Sequence, residues 1–167
     1  MRKLFFSIML TLGLVSVLNA SSDVEEFKAI ANSAIKAVVE DTVDADKMMK
    51  DMDKLIVLGK KFCKKNATGK GTKFMNLVID NAEKMKAMTL DEIEEAWHDG
   101  EAITNAGINL DDFDHFSPVF SSADTVIHPA TSYIVLKNYK KDGDKDGLAQ
   151  IKDELSEVLE HASHLED

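Results

Sequence analysis

This 167-residue chain contains one cysteine and one tryptophan, and Arg2 is its only arginine. Cys63 alone cannot close an intrachain disulfide. The formal charge is -10 and rises in magnitude to -12 if residues 1–20 are removed, because that segment holds two cations and no acid. A chain this acidic is repelled by phosphate backbones and anionic lipid surfaces, which disfavours nucleic acid and membrane headgroups as partners. Metal ions, cationic small ligands and basic proteins fit the charge. No strand-like alternation of any length appears and no internal repeat is visible, which excludes the usual sheet and solenoid patterns. The Gly-containing stretch Lys64-Lys-Asn-Ala-Thr-Gly-Lys-Gly71 lacks the spacing of a phosphate-binding loop and reads as a hinge between antiparallel helices.

The chain opens with MRKLFFSIMLTLGLVSVLNA, in which Arg2 and Lys3 precede an apolar run that ends in small and polar residues. This is the pattern of a secretory signal peptide over 1–20, and it predicts a periplasmic or secreted protein. The run is short for a membrane span and no second one follows, so no membrane insertion is expected after cleavage. The remaining residues, 21–167, suit one domain with a sizeable core.

Apolar residues recur at helical spacing through most of that domain. Ser22-Asp-Val-Glu25 has the form of a capping box and predicts a helix over 23–40. The acidic turn at 41–46 leads to a stripe of Met48, Met52, Leu55, Ile56, Gly59, Phe62 and Cys63. Further helices are expected over 72–88, from Thr89 onward with its own capping box Thr89-Leu-Asp-Glu92, over 125–139, and over 148–165. Residues 106–120 read as a long irregular loop. The expected fold is all-α, an up-and-down bundle of four to five helices.

The helix at 125–139 is apolar nearly all round, so it should be buried on more than one face. His128 lies on it with Ser132, Val135 and Tyr139 at spacings i, i+4, i+7 and i+11, and is the histidine most expected inside. Pro129 either starts this helix or kinks it and frees a carbonyl. His128 is the first candidate ligand for a transition metal or for haem b, and the alternative is a core histidine bonded to a carbonyl or hydroxyl. His161 and His164, at i, i+3 on the last helix, are further candidate metal ligands, with Glu157 and Glu160 one turn upstream. Glu95-Ala-Trp-His98 matches the Glu-x-x-His unit of di-iron bundles, but it occurs once and His98 falls on the outer side of its wheel, pairing with Glu94. His115 sits among Asp111, Asp112 and Asp114 in the long loop. The methionines at 48, 49, 52, 85 and 88 invite a copper reading, and their stripe positions favour core packing.

Asp142-Gly-Asp144-Lys-Asp146-Gly147 reproduces the first six positions of an EF-hand loop, so Asp142, Asp144 and Asp146 are candidate calcium ligands. Position twelve is Asp153 in place of glutamate, which weakens the match. The alternative is a turn in which Asp144 or Asp146 caps the last helix.

An exported helical bundle with histidines on its late helices is similar in architecture to the periplasmic cytochrome b562 and cytochrome c′ bundles. The likeness is one of architecture and not of motif. Covalent haem is excluded because Cys-x-x-Cys-His is absent, and no methionine falls in 23–40 to act as an axial ligand. No catalytic set can be assembled from local spacing. The expected function is therefore non-enzymatic binding of a metal ion or non-covalent haem by a carrier, sensor or electron-transfer protein. The alternative is a structural or partner-binding protein with an acidic surface and no cofactor.

Overall fold

The computed structural model describes residues 9–143 and 145–165, with side chains from residue 22 onward. The described chain is all-helical, without strands. Its α-helices are α1 (Met9–Val39), α2 (Ala45–Asn66), α3 (Gly71–Met85), α4 (Leu90–Ile93), α5 (Glu101–Asn105), α6 (Pro118–Asp142) and α7 (Leu148–Ser163). A π-helical turn, Glu94–His98, joins α4 to α5, and a 3-10 turn, Leu110–Asp112, interrupts the segment before α6. No helix of the described residues is long and apolar enough to cross a membrane.

Several boundaries are set by local caps. Asp44 accepts from the Lys47 backbone at 3.0 Å and starts α2. Thr89 and Glu92 form the complete capping box that starts α4. Ser117 caps α6 and places Pro118 in its first turn, where a missing N–H leaves no helical bond unmade. Gly143, at φ 74, ends the same helix in the left-handed region.

Other expectations are corrected. Helix α1 runs unbroken from Met9, so Ser22 is not a helix start in this chain; the apolar residues before it continue the helix. Helix α6 begins at Pro118, which takes three residues from the expected loop and puts Pro129 well inside the helix. Gly147 holds the N-cap position of α7 without a side-chain cap, so Asp146 does not cap it; Asp144 lies outside the described residues. The described residues form seven α-helices and not four or five, in part because the π-turn and Gly100 divide the segment after Thr89 into short pieces.

Topology departs from simple up-and-down order at one place. Gly71 packs on Val119 at the start of α3 and α6, and Lys137 donates to the Lys86 carbonyl near their ends, so these two helices run the same way. The segment containing α4 and α5 is the crossover that allows this. Helix α6 antiparallels α2, through Gly59 against Thr125 and Cys63 against Ser122, and antiparallels α7, through His128 against Glu154 and Ser121 against His161.

Two apolar cores meet on α6. One joins Phe27, Met52, Leu55 and Leu155 to Val135 and Leu136; the other joins Phe74, Met75, Val78, Ile93 and Trp97 to Val126, Ala130 and Ile134. That double burial is what an all-round apolar helix requires. Met48, Met52 and Met85 are core residues, as their stripes predict.

Pro129 lacks the N–H that would bond the Thr125 carbonyl, and α2 closes on that freed group with a glycine. A Cβ placed on Gly59 would collide with the Thr125 carbonyl oxygen, 2.7 Å from its carbonyl carbon and 2.9 Å from Oγ1. The Thr125 hydroxyl itself donates back to the Ser122 carbonyl at 2.6 Å. Cys63, one turn beyond Gly59, donates to the same Ser122 carbonyl at 3.1 Å, and burial pushes its thiol up to about 12, which makes it inert.

Candidate metal centre

Between the two cores, α6 carries buried polar residues: Ser121, Ser122, Asp124, Thr125, His128, Thr131 and Ser132. Asp124 and His128 are one turn apart and face α7, whose Glu154, Glu157 and His161 share a face at i, i+3 and i+7. The result is a strip of histidines and carboxylates running along the α6/α7 seam.

At its centre His128 Nδ1 donates to Glu154 Oε2 at 2.7 Å. Gln150 Nε2 donates to the other Glu154 oxygen at 3.1 Å. His98 approaches from the π-turn, with Nε2 3.0 Å from the Thr131 hydroxyl and 3.8 Å from Glu154 Oε2. Since the Thr131 hydroxyl donates to the Ile127 carbonyl, His98 is the donor in that contact. Toward the N-terminal end of α6, His161 Nε2 lies 3.1 Å from Asp124 Oδ2, and its Nδ1 accepts from the Ser121 hydroxyl at 3.3 Å. The His128 and His161 rings are 6.3 Å apart and nearly parallel, at 22°.

One donor atom from each residue falls within 4.8 Å of the others in three groups: His98, His128 and Glu154; Asp124, His128 and His161; and His115, Glu157 and His161. Tetrahedral zinc, with bonds near 2.0–2.1 Å, needs donors roughly 3.3 Å apart. The 2.7 and 3.8 Å separations around Glu154 bracket that value, so small side-chain shifts would accommodate an ion.

Burial disfavours charge on His128, but its hydrogen bond to Glu154 and the negative charge of Asp124, Glu154 and Glu157 outweigh this and hold it above the ordinary histidine value. Burial also works against an ionised Glu154, and the His128 hydrogen bond and charge overcome it, leaving the carboxyl below its ordinary range. Asp124 is pushed up to about 7, first by burial and then by Glu157, against the pull of His128. His161 is pushed down to about 4, first by burial and then by electrostatic repulsion from the neighbouring imidazoles of His128, His115 and His164. Neutral imidazole is the metal-binding form, so His161 is ligand-ready at neutral pH.

These shifts set the pH dependence of the metal-free protein. His128, raised in the fold, stabilises it fully below its unfolded value of 6.5 and ceases to do so as pH rises through the folded value. Glu154, lowered in the fold, stabilises it above 4.5 and ceases to do so as pH falls through the folded value. Between about pH 4 and 6.5, Asp124 and His161 together hold one proton whether folded or unfolded, so that pair adds no slope. Stability should therefore be greatest between about pH 4.5 and 6.5 and decline on the alkaline side. Urea unfolding at pH 5.5 and pH 9 measures this, and His128→Gln should flatten the alkaline decline. An unchanged decline in that variant would exclude the ion pair as its source.

The sequence candidates are distributed unevenly over this site. His128 and His161 are brought together in its interior. His164 is exposed, stacks on Phe116 at 4.7 Å and 27°, and belongs to none of the three groups. Asp142 is the last residue of α6 and Asp146 is exposed, neither in any of the groups; Lys145 between them bonds Asp41 at 2.6 and 2.9 Å. Glu95 is exposed and lines a separate cleft of about 440 Å³ with Lys84 and Glu101, so the Glu-x-x-His spacing does not act as a unit.

His98 is turned inward, contrary to its expected pairing with Glu94. The Asp99 N–H bonds the Glu94 carbonyl five residues back, and this widened turn brings His98 round toward the side of buried Ile93. A wheel drawn with α-helical period cannot anticipate that. Asp124 was legible in principle, since Asp-x-x-x-His on an otherwise apolar helix puts two ionisable groups on one buried face. No known family model, curated protein or solved structure matches this chain.

Proposed function

We propose that this chain is an exported helical-bundle protein that binds a first-row divalent metal ion in a non-enzymatic carrier or sensor role. The observation that carries the reading is the convergence of His98, His128 and His161 with Asp124 and Glu154, from three separate helical segments, into two overlapping groups within 4.8 Å, in which every residue but the half-buried His98 is buried. An all-imidazole and carboxylate donor set, with the single thiol bonded elsewhere, suits zinc, nickel or copper(II). The ion would be held by His98, His128 and Glu154 and would replace the proton now on His128.

Metal analysis of protein purified from the native compartment, with N-terminal sequencing of the mature chain, tests both parts. Close to one or more equivalents of metal and an N-terminus near Ser21 are expected. A metal-free protein that also fails to retain added zinc would overturn the binding reading. The competing reading, a partner-binding bundle without cofactor, is supported by the way Glu154 already satisfies His128 while Ser121 and Asp124 satisfy His161.

A further inference from the structure

The outer end of the strip carries a group that the inner triad does not use. His115 is exposed on the segment before α6, with its ring 4.9 Å from that of His161. Glu157, also exposed, lies one turn before His161 on α7. Aromatic contacts hold this end in place: Phe116 packs against His161 at 5.5 Å and His164 at 4.7 Å, and Phe120 against His115 at 5.2 Å. His115 is therefore fixed at the mouth of the strip.

His161 belongs to two of the three groups, one outward with His115 and Glu157 and one inward with Asp124 and His128. Access differs sharply between them. His128 is 4% exposed and His161 1%, whereas His115 and Glu157 face solvent. An ion from solution meets the outer group first.

We propose that His115, Glu157 and His161 form a second divalent-cation site at the mouth, which captures an ion and passes it inward by ligand exchange on His161. The ion would keep His161, release His115 and Glu157 and take up Asp124 and His128, and then reach the inner site by exchanging His161 and Asp124 for His98 and Glu154 while His128 holds it. The proton on His128 and the one held between Asp124 and His161 leave to solvent, and no electrons are transferred. The ligand class is a borderline divalent ion with affinity for imidazole and carboxylate, such as zinc(II). This rests on the inner site proposed above.

The test is a titration of chelator-stripped mature protein with zinc chloride alone, together with stopped-flow loading. The wild type is expected to take two equivalents. The H115A/E157Q double variant is expected to take one, and to load it at least about tenfold more slowly because the buried triad has lost its outer ligands. Both positions are exposed, so an unchanged thermal melt confirms that the variant is folded. Two equivalents in the double variant, or loading at the wild-type rate, would overturn the mouth site while leaving the inner one standing. Failure of the wild type to bind zinc at all would instead remove the inner site on which it rests.

Discussion

Replacing His128 by alanine is expected to lower the unfolding free energy of the metal-free protein by about 3 kcal/mol near pH 6, the scale for removing one partner of a buried ion pair. Glu154, only 9% exposed, would be left without the imidazolium 2.7 Å away. Gln150 and His98 would remain beside it and keep the loss from being larger. Adding Glu154→Gln should recover much of the stability, because the stranded charge is removed along with its partner. It should not recover zinc retention, which is expected to fall by more than about 100-fold in both variants, beyond the effect of losing an outer-shell partner. Urea unfolding and zinc competition together separate the two roles. A variant that loses stability but keeps its zinc affinity would make His128 a structural residue only.

The second large effect lies at Gly59. Gly59→Ala should cost about 3 kcal/mol, at the upper end of overpacking penalties, because its Cβ would meet backbone at Thr125 and not the movable end of a side chain. For a domain of this size that corresponds to a fall of roughly 6–12 °C in melting temperature. Gly59 and Pro129 should be coupled, since the proline frees the carbonyl against which the glycine packs. Pro129→Ala restores an N–H for Thr125 and lets α6 straighten, so Gly59→Ala should cost less in that background. Additive losses in the double-variant cycle would show that the two positions act independently. Because Thr125 stands one residue after Asp124 and three before His128, this contact also sets where those side chains meet α7.

Local chemistry made much of this architecture readable. Thr89 starts α4 through the capping box expected of it, because such bonds are made within a few residues; Asp44, Ser117 and Gly143 end helices through equally local bonds that the expected boundaries did not use. The stripe from Met48 to Cys63 and the all-round apolar character of α6 likewise predicted burial, because periodicity reports which faces must leave water. His128 was singled out for the same reason. The start of α1 and the division of the segment after Thr89 were not readable in this way. There, helix propagation and a π-turn overrode spacing rules that assume one period throughout.

What the sequence by itself determined is an acidic, all-α chain with a single thiol, a central helix buried on both faces and His128 within it. Tertiary structure alone decided that His98, His115 and His161 join His128, and that Asp124, Glu154 and Glu157 stand among them. The physical reason is range. A helical wheel fixes which side of one helix a residue occupies, whereas a ligand set is fixed by the register of one helix against another. Here that register is set by the crossover that runs α3 and α6 in the same direction, and by the close seating of Gly59 on the carbonyl that Pro129 frees.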